Sequence, residues 1–173
     1  MKIVVIAPSK IDYLAKTLNK TEDEIKEMFT EIVKVLIKND MEIVITPDKN
    51  SPLEFVGKEY LKLKGKKLFE VIPTEDTEFG YKEWVNDELG EIISCKTWRN
   101  QPETTNEVTD LLICLGYGVG VTIEICYTKW FKSKPVFIIK ELVSSELPDE
   151  INESLDIRYI SINELDEKLR NLK

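Results

Sequence analysis

Histidine is missing from this chain of 173 residues. Its absence removes the commonest general base and the commonest metal ligand, so any chemistry falls to carboxylates, Arg, Lys, Tyr, Ser or Thr. Cysteine is scarce: Cys95, Cys114 and Cys126 form no C-x-x-C pair and read as buried thiols rather than disulfide or metal ligands. No apolar run approaches the ~18 residues of a membrane span. Met1-Lys2 leads straight into strand-like sequence instead of a signal peptide, so a cytoplasmic protein is expected. Basic charge is short too: 24 Lys and Arg against 32 Asp and Glu give a formal charge of −8. That argues against nucleic acid or an anionic membrane as the main partner, while an anionic small ligand stays open. Glutamine occurs once, at Gln101, in a chain rich in Lys, Glu and Ile. The bias is thermophile-like, and an AT-rich genome produces the same one. Two phosphate-binding signatures are absent as well. Ala7-Pro8-Ser9-Lys10 follows the first strand where a dinucleotide fold carries G-x-G-x-x-G, and no G-x-x-x-x-G-K-[ST] loop occurs.

What is present is an alternation of strand and helix patterns. Strands are expected at Lys2–Ala7, Met41–Thr46, Lys67–Ile72, Glu91–Cys95, Asp110–Leu115, Lys134–Ile139 and Ile157–Ile162. Thr21 with Glu24 makes a capping box for a helix reaching Lys38, and Ser51-Pro52-Leu53-Glu54 opens a second. Further helices are expected over Trp98–Val108, from the glycine loop to Phe131, over Pro148–Leu155, and after the cap Ser161-Ile162-Asn163-Glu164, where the charge-rich tail from Glu164 to Lys173 reads as a solvated helix face. Thr74–Gly90 is open between a short helix around Trp84 and Val85, an ordered loop and a partner contact. The pattern predicts one Rossmann-like domain over residues 1–173, a three-layer α/β/α sandwich on a mostly parallel sheet.

The most informative stretch is Leu111-Leu112-Ile113-Cys114-Leu115-Gly116-Tyr117-Gly118-Val119-Gly120-Val121-Thr122-Ile123-Glu124. Its apolar run reads as a strand covered on both faces. Glycines between such a strand and a helix let backbone approach a ligand, and the helix N-terminus offers unpaired N–H groups to an anion, most often a phosphate. Gly116, Tyr117, Gly118, Val119, Gly120, Val121 and Thr122 are therefore the candidate phosphate or nucleotide cradle. Glu124 lies one turn inside the helix, with its side chain tilted back over the same crevice. Ser9, just beyond the first strand, is a candidate phosphate or ribose contact, because open α/β sheets bind ligands past the carboxyl ends of their strands. Tyr117 either stacks on a base or closes the loop. Trp84, Trp98 and Trp130 read as core or dimer contacts.

The segment from Gly90 to Pro135 resembles the lysine-decarboxylase-like family, now known for the "Lonely Guy" nucleotide phosphoribohydrolases and related Rossmann-like nucleotide sensors. That family carries P-G-G-x-G-T-x-x-E after a buried strand, with an R-K pair about one helix upstream. Gly118, Gly120 and Glu124 fall on its second and third glycines and its acid, Arg99 lies close to its arginine, and Asp110 and Lys134-Pro135-Val136 also match. Gly116 replaces its proline, Tyr117 its first glycine, Val121 its threonine and Asn100 its lysine, while Thr46-Pro47-Asp48-Lys49-Asn50 replaces a glycine-rich turn.

The resemblance implies a phosphoribohydrolase acting on a nucleoside monophosphate without metal or other cofactor. The 5′-phosphate would rest on Gly118 to Val121. Glu124 would position water or stabilise the ribosyl centre, and Arg99 would hold the leaving base or the phosphate. A deoxyribosyltransferase-like enzyme is a close variant, and a nucleotide sensor that keeps the cradle without the chemistry is the other reading. Relatives commonly build each site from two chains, so a homodimer is expected near the helix after the glycine loop.

Overall fold

The computed structural model describes residues 1–172. Seven strands form one sheet: β1 (Lys2–Ile6), β2 (Glu42–Ile45), β3 (Leu68–Ile72), β4 (Glu91–Ser94), β5 (Leu111–Cys114), β6 (Val136–Ile139) and β7 (Ile157–Ile160). Their order is β4-β3-β2-β1-β5-β6-β7, and every neighbouring pair is parallel. The apolar runs explain this arrangement. All residues of β5 and β6 are buried, as strands covered by helices on both faces require. The Rossmann-like α/β fold expected from the alternation is the fold observed.

Seven helices cover the sheet: α1 (Ile11–Leu18), α2 (Glu22–Lys38), α3 (Pro52–Lys62), α4 (Gln101–Glu107), α5 (Val119–Tyr127), α6 (Asp149–Asn152) and α7 (Ile162–Arg170). Alternate residues of β1 divide the core. Ile3 and Val5 pack with Leu14 of α1, Ile32 of α2, Val56 of α3 and Leu165 of α7. Val4 and Ile6 face Val121 and Ile125 of α5, with Ile151 of α6 at the margin. Both capping boxes are formed, Thr21 with Glu24 and Ser161 with Glu164. Helix α1 had no counterpart in the sequence reading. Lys10 gives it no side-chain cap, and Asn19 ends it in the left-handed conformation. Short 3-10 turns precede α4, follow α5 and follow β6.

Residues 74–90 form an ordered loop, joined to the chain after β2 by an antiparallel bridge between Asp48 and Val85. Glu70, wholly buried in β3, secures the loop's return by accepting from the Leu89 and Gly90 amides at 3.2 and 3.0 Å. Gly90 is required there, because a Cβ would lie 2.5 Å from the Leu68 carbonyl oxygen. Three sequence expectations are corrected. Cys126 is exposed, since it falls on the outer face of α5, whereas Cys95 and Cys114 are buried. Of the two readings for Trp84 and Trp130, core or dimer contact, their exposure of 60 % and 76 % removes the core. The closing helix ends at Arg170 with Leu165 and Leu169 buried, and Lys173 lies outside the described residues.

Candidate functional site

Consecutive connections in this sheet run outward from β1 and β5, which pair with each other at its centre. The chain leaves β1 into α1 on one face and β5 into α5 on the other, so the two exits diverge and leave a crevice at the strands' carboxyl ends. The cleft found there measures about 660 Å3. Its walls come from Ala7–Lys10 after β1, Thr46 and Asp48 after β2, Trp98, Gln101 and Pro102, and the start of α5.

Three helices, α1, α4 and α5, begin at this cleft, and none has a side-chain cap. By contrast Thr21, Ser51 and Ser161 cap α2, α3 and α7. The first intrahelical bond of α5 is donated by Thr122 to Gly118 at 2.9 Å, which leaves the Val119, Gly120 and Val121 amides for other partners. The glycines differ in purpose. Gly116 has φ 128°, and a Cβ there would meet Leu14 at 2.8 Å and the Leu142 carbonyl oxygen at 3.2 Å, so the fold itself requires it. Gly118 is extended, and its Cβ would make ordinary contact with Pro8 at 3.5 Å. A Cβ on Gly120 would meet nothing within 4 Å. Glycine at that helical position weakens the helix slightly and keeps the space before the N-terminus empty.

Glu124 forms part of the cleft wall and is 9 % exposed. Its Oε1 accepts from the Gln101 side-chain amide at 2.7 Å. Burial pushes its carboxyl up to about 7, against the opposing effect of the Gln101 bond and with a further rise from Asp48. Gln101 Nε2 also lies 3.1 Å from Thr46 Oγ1 and 3.2 Å from Thr105 Oγ1. The carboxyl and ammonium groups lining the cleft are those of Lys10, Asp48 and Glu124. Among the described residues no group of three or more Cys, Asp or Glu gathers where it could hold a metal ion.

Of the residues singled out in the sequence, Ser9, Gly118, Val119, Gly120, Val121 and Glu124 line the cleft together. Gly116 lies beneath the loop as a fold requirement. The Thr122 hydroxyl donates back to the Gly118 carbonyl at 3.0 Å instead of facing the cleft. Tyr117 closes the loop, its hydroxyl 3.5 Å from that of Tyr159, and burial raises its pKa. Arg99 is displaced from the expected position: it pairs with Glu78 at 2.6 Å, and its side chain is 70 % exposed. The reason is local. Trp98–Asn100 is a 3-10 turn, in which residues three apart share a face, so Trp98 and Gln101 face the cleft while Arg99 points elsewhere. Thr46, Asp48 and Trp98 were missed as site residues. Their position at or near strand carboxyl ends was the available signal.

No protein-family model matches this chain, and no curated protein matches it in sequence. Among the described residues no helix is long and apolar enough to cross a membrane. Solved structures do resemble it. A molybdenum cofactor binding protein from Rippkaea orientalis superposes with a TM-score of 0.71 at 16 % identity, covering 99 % of this chain and 96 % of that one. The Moco carrier protein from Chlamydomonas reinhardtii gives 0.69 at 16 % identity over 99 % and 96 % of the two chains. The structure named TM1055 gives 0.69 at 16 % identity over 98 % of each. At these identities the likeness establishes a shared Rossmann-like fold, matched over nearly the whole length of each chain.

Proposed function

We propose that this protein binds a small phosphorylated ligand bearing a nitrogen heterocycle, of the nucleoside monophosphate type, and holds it as a carrier or sensor. The observation that carries the reading is the bare N-terminus of α5, where three amides border the cleft and Gly120 leaves the space before them empty. The phosphate rests on the Val119–Val121 amides, Ser9 donates to it, and Lys10 supplies a positive side chain beside it. Two structures of this fold are named as a molybdenum cofactor binding protein and a Moco carrier protein, which supports a small-molecule ligand here. Calorimetry with nucleoside monophosphates, and mass spectrometry of any ligand retained through purification, test the reading. Gly120→Asp is the decisive variant. An acid in the first turn favours the helix, so the fold should persist while phosphate is repelled. Unchanged affinity in that variant would end the proposal.

A second reading, hydrolysis of the N-glycosidic bond, has one observation in its favour. Glu124 is a carboxyl near neutrality in the cleft wall, suited to protonate a leaving base or to orient water. Gln101, rather than Arg99, would be its companion. Incubation with each monophosphate and detection of free base tests it. Glu124→Gln should then bind normally and release base at least ~100-fold more slowly.

A further inference from the structure

The cleft does not stop at the α5 N-terminus. Beyond Ser9, Lys10, Asp48 and Trp98 it continues into a second chamber of about 670 Å3, whose remaining wall includes Phe79 and Trp84. Phe79 and Trp84 are 61 % and 60 % exposed, and both sit on the loop between β3 and β4. Two large aromatic side chains that border one chamber form an exposed apolar patch of the kind that marks a binding groove.

The loop is not loosely attached. Asp76 Oδ1 accepts from the amides of Glu78, Phe79 and Gly80 at 3.0, 2.7 and 3.3 Å, and its Oδ2 from the Trp98 amide at 3.0 Å. The Trp98 indole donates to the Gly80 carbonyl at 2.7 Å. On the other side, the Lys49 amide donates to the Trp84 carbonyl at 2.7 Å and the Asn86 amide to the Pro47 carbonyl at 2.9 Å. The loop is thus tied to the chain after β2 and to the 3-10 turn before α4, and it presents its rings at the cleft mouth. Among the described residues the close ring pair is Phe29 with Phe55, and Phe79, Trp84 and Trp98 stack on no other ring. Asp48 borders both chambers, and its carboxylate has no hydrogen-bond partner among the described residues.

We propose that Phe79, Trp84 and Trp98 form a stacking subsite for the planar heterocycle of the ligand, with Asp48 accepting from an N–H or hydroxyl of the same molecule. The inference rests on the phosphate-binding reading above and extends it: the ligand is two-ended, its phosphate at α5 and its ring under the loop. Stacking suits any nitrogen heterocycle, so the subsite contributes affinity for rings as a class, and Asp48 selects those with a donor.

The test compares wild type with the double variant Phe79→Ala, Trp84→Ala, whose side chains lie outside the core. Ribose 5-phosphate, the nucleoside monophosphates, the phosphate-free nucleosides and neopterin are titrated into both. Ribose 5-phosphate should bind the two proteins alike. Monophosphates should bind wild type at least about tenfold more tightly than ribose 5-phosphate and lose that advantage in the variant. Nucleosides or neopterin binding to wild type but not to the variant would support the subsite even if no phosphate were recognised. Monophosphates that bind both proteins equally would overturn the subsite and leave the phosphate reading intact. No binding of any probe to wild type would overturn both.

Discussion

The Gln101 side-chain amide donates to Glu124 Oε1 at 2.7 Å, joining α4 to α5 across the floor of the cleft. A neutral donor stabilises the carboxylate only modestly, where an arginine in its place would force ionisation. Burial therefore prevails, and the Glu124 carboxyl titrates near pH 7 in a chain without histidine.

The consequence for stability has a definite sign. Between about pH 4.5 and 7 the folded protein keeps the Glu124 proton and the unfolded chain loses it, so stability falls as pH rises through this window and then levels off. The effect amounts to about 3 kcal/mol at most. Urea unfolding of wild type and Glu124→Gln at intervals from pH 4 to 8 measures it. The difference between the two proteins should change across that window. A constant difference would mean that Glu124 has an ordinary carboxyl.

The glycines of the loop should separate on substitution. Gly116→Ala must adopt a left-handed backbone and crowd Leu14 and the Leu142 carbonyl, at a cost of about 1–3 kcal/mol. Gly118→Ala and Gly120→Ala should fall within about 0.5 kcal/mol of wild type. Denaturant midpoints decide the matter, and equal losses at positions 116 and 120 would contradict the geometry.

Thiol labelling reads burial directly. Of the three cysteines, Cys126 should react with a small disulfide reagent within minutes. Burial raises the Cys95 and Cys114 thiols to about 11 and about 12, so both should wait for unfolding. More than one fast thiol in the folded protein would be inconsistent with the core described above.

Assembly gives the fourth prediction. Val119, Ile123 and Trp130 are 82 %, 45 % and 76 % exposed; Val119 and Ile123 lie at the α5 edge of the cleft and Trp130 in the turn after the helix. A second copy packed over these side chains by two-fold symmetry would cover at least about 1,000 Å2, the scale of a stable interface. Light scattering should then report twice 20.1 kDa, and Trp130→Glu should halve it. A wild-type monomer at micromolar concentration would refute the dimer.

Much of the fold was legible because fully buried parallel strands leave unbroken apolar runs, as at Leu111–Cys114 and Val136–Ile139. Helices with caps were legible for the same kind of reason: Thr21, Ser51 and Ser161 are local signals. Helix α1 escaped notice because it starts without a cap and runs only eight residues. Within the site, the α5 glycines and Glu124 are contiguous in sequence and were found together. Gln101 stands 55 residues from Thr46 and 23 from Glu124, and only the sheet order brings them together. Arg99 was misplaced because Trp98 and Gln101, three residues apart on one face, take the side toward the cleft and leave Arg99 off it. The aromatic loop carries no periodic signal, since its order comes from Asp76 and from backbone bonds to distant segments.

The hollow between the exits of β1 and β5 owes its existence to winding, not to any side chain that lines it. Connections that depart to opposite faces of a sheet cannot meet above it, so no substitution in the lining erases the space. Replacing Ser9, Asp48, Gln101 or Glu124 alters what the hollow accepts and leaves its walls standing. A chain built this way can change its cargo by a handful of point substitutions while its framework keeps the same shape, whereas rewinding a single crossover would abolish the receptacle for every ligand at once.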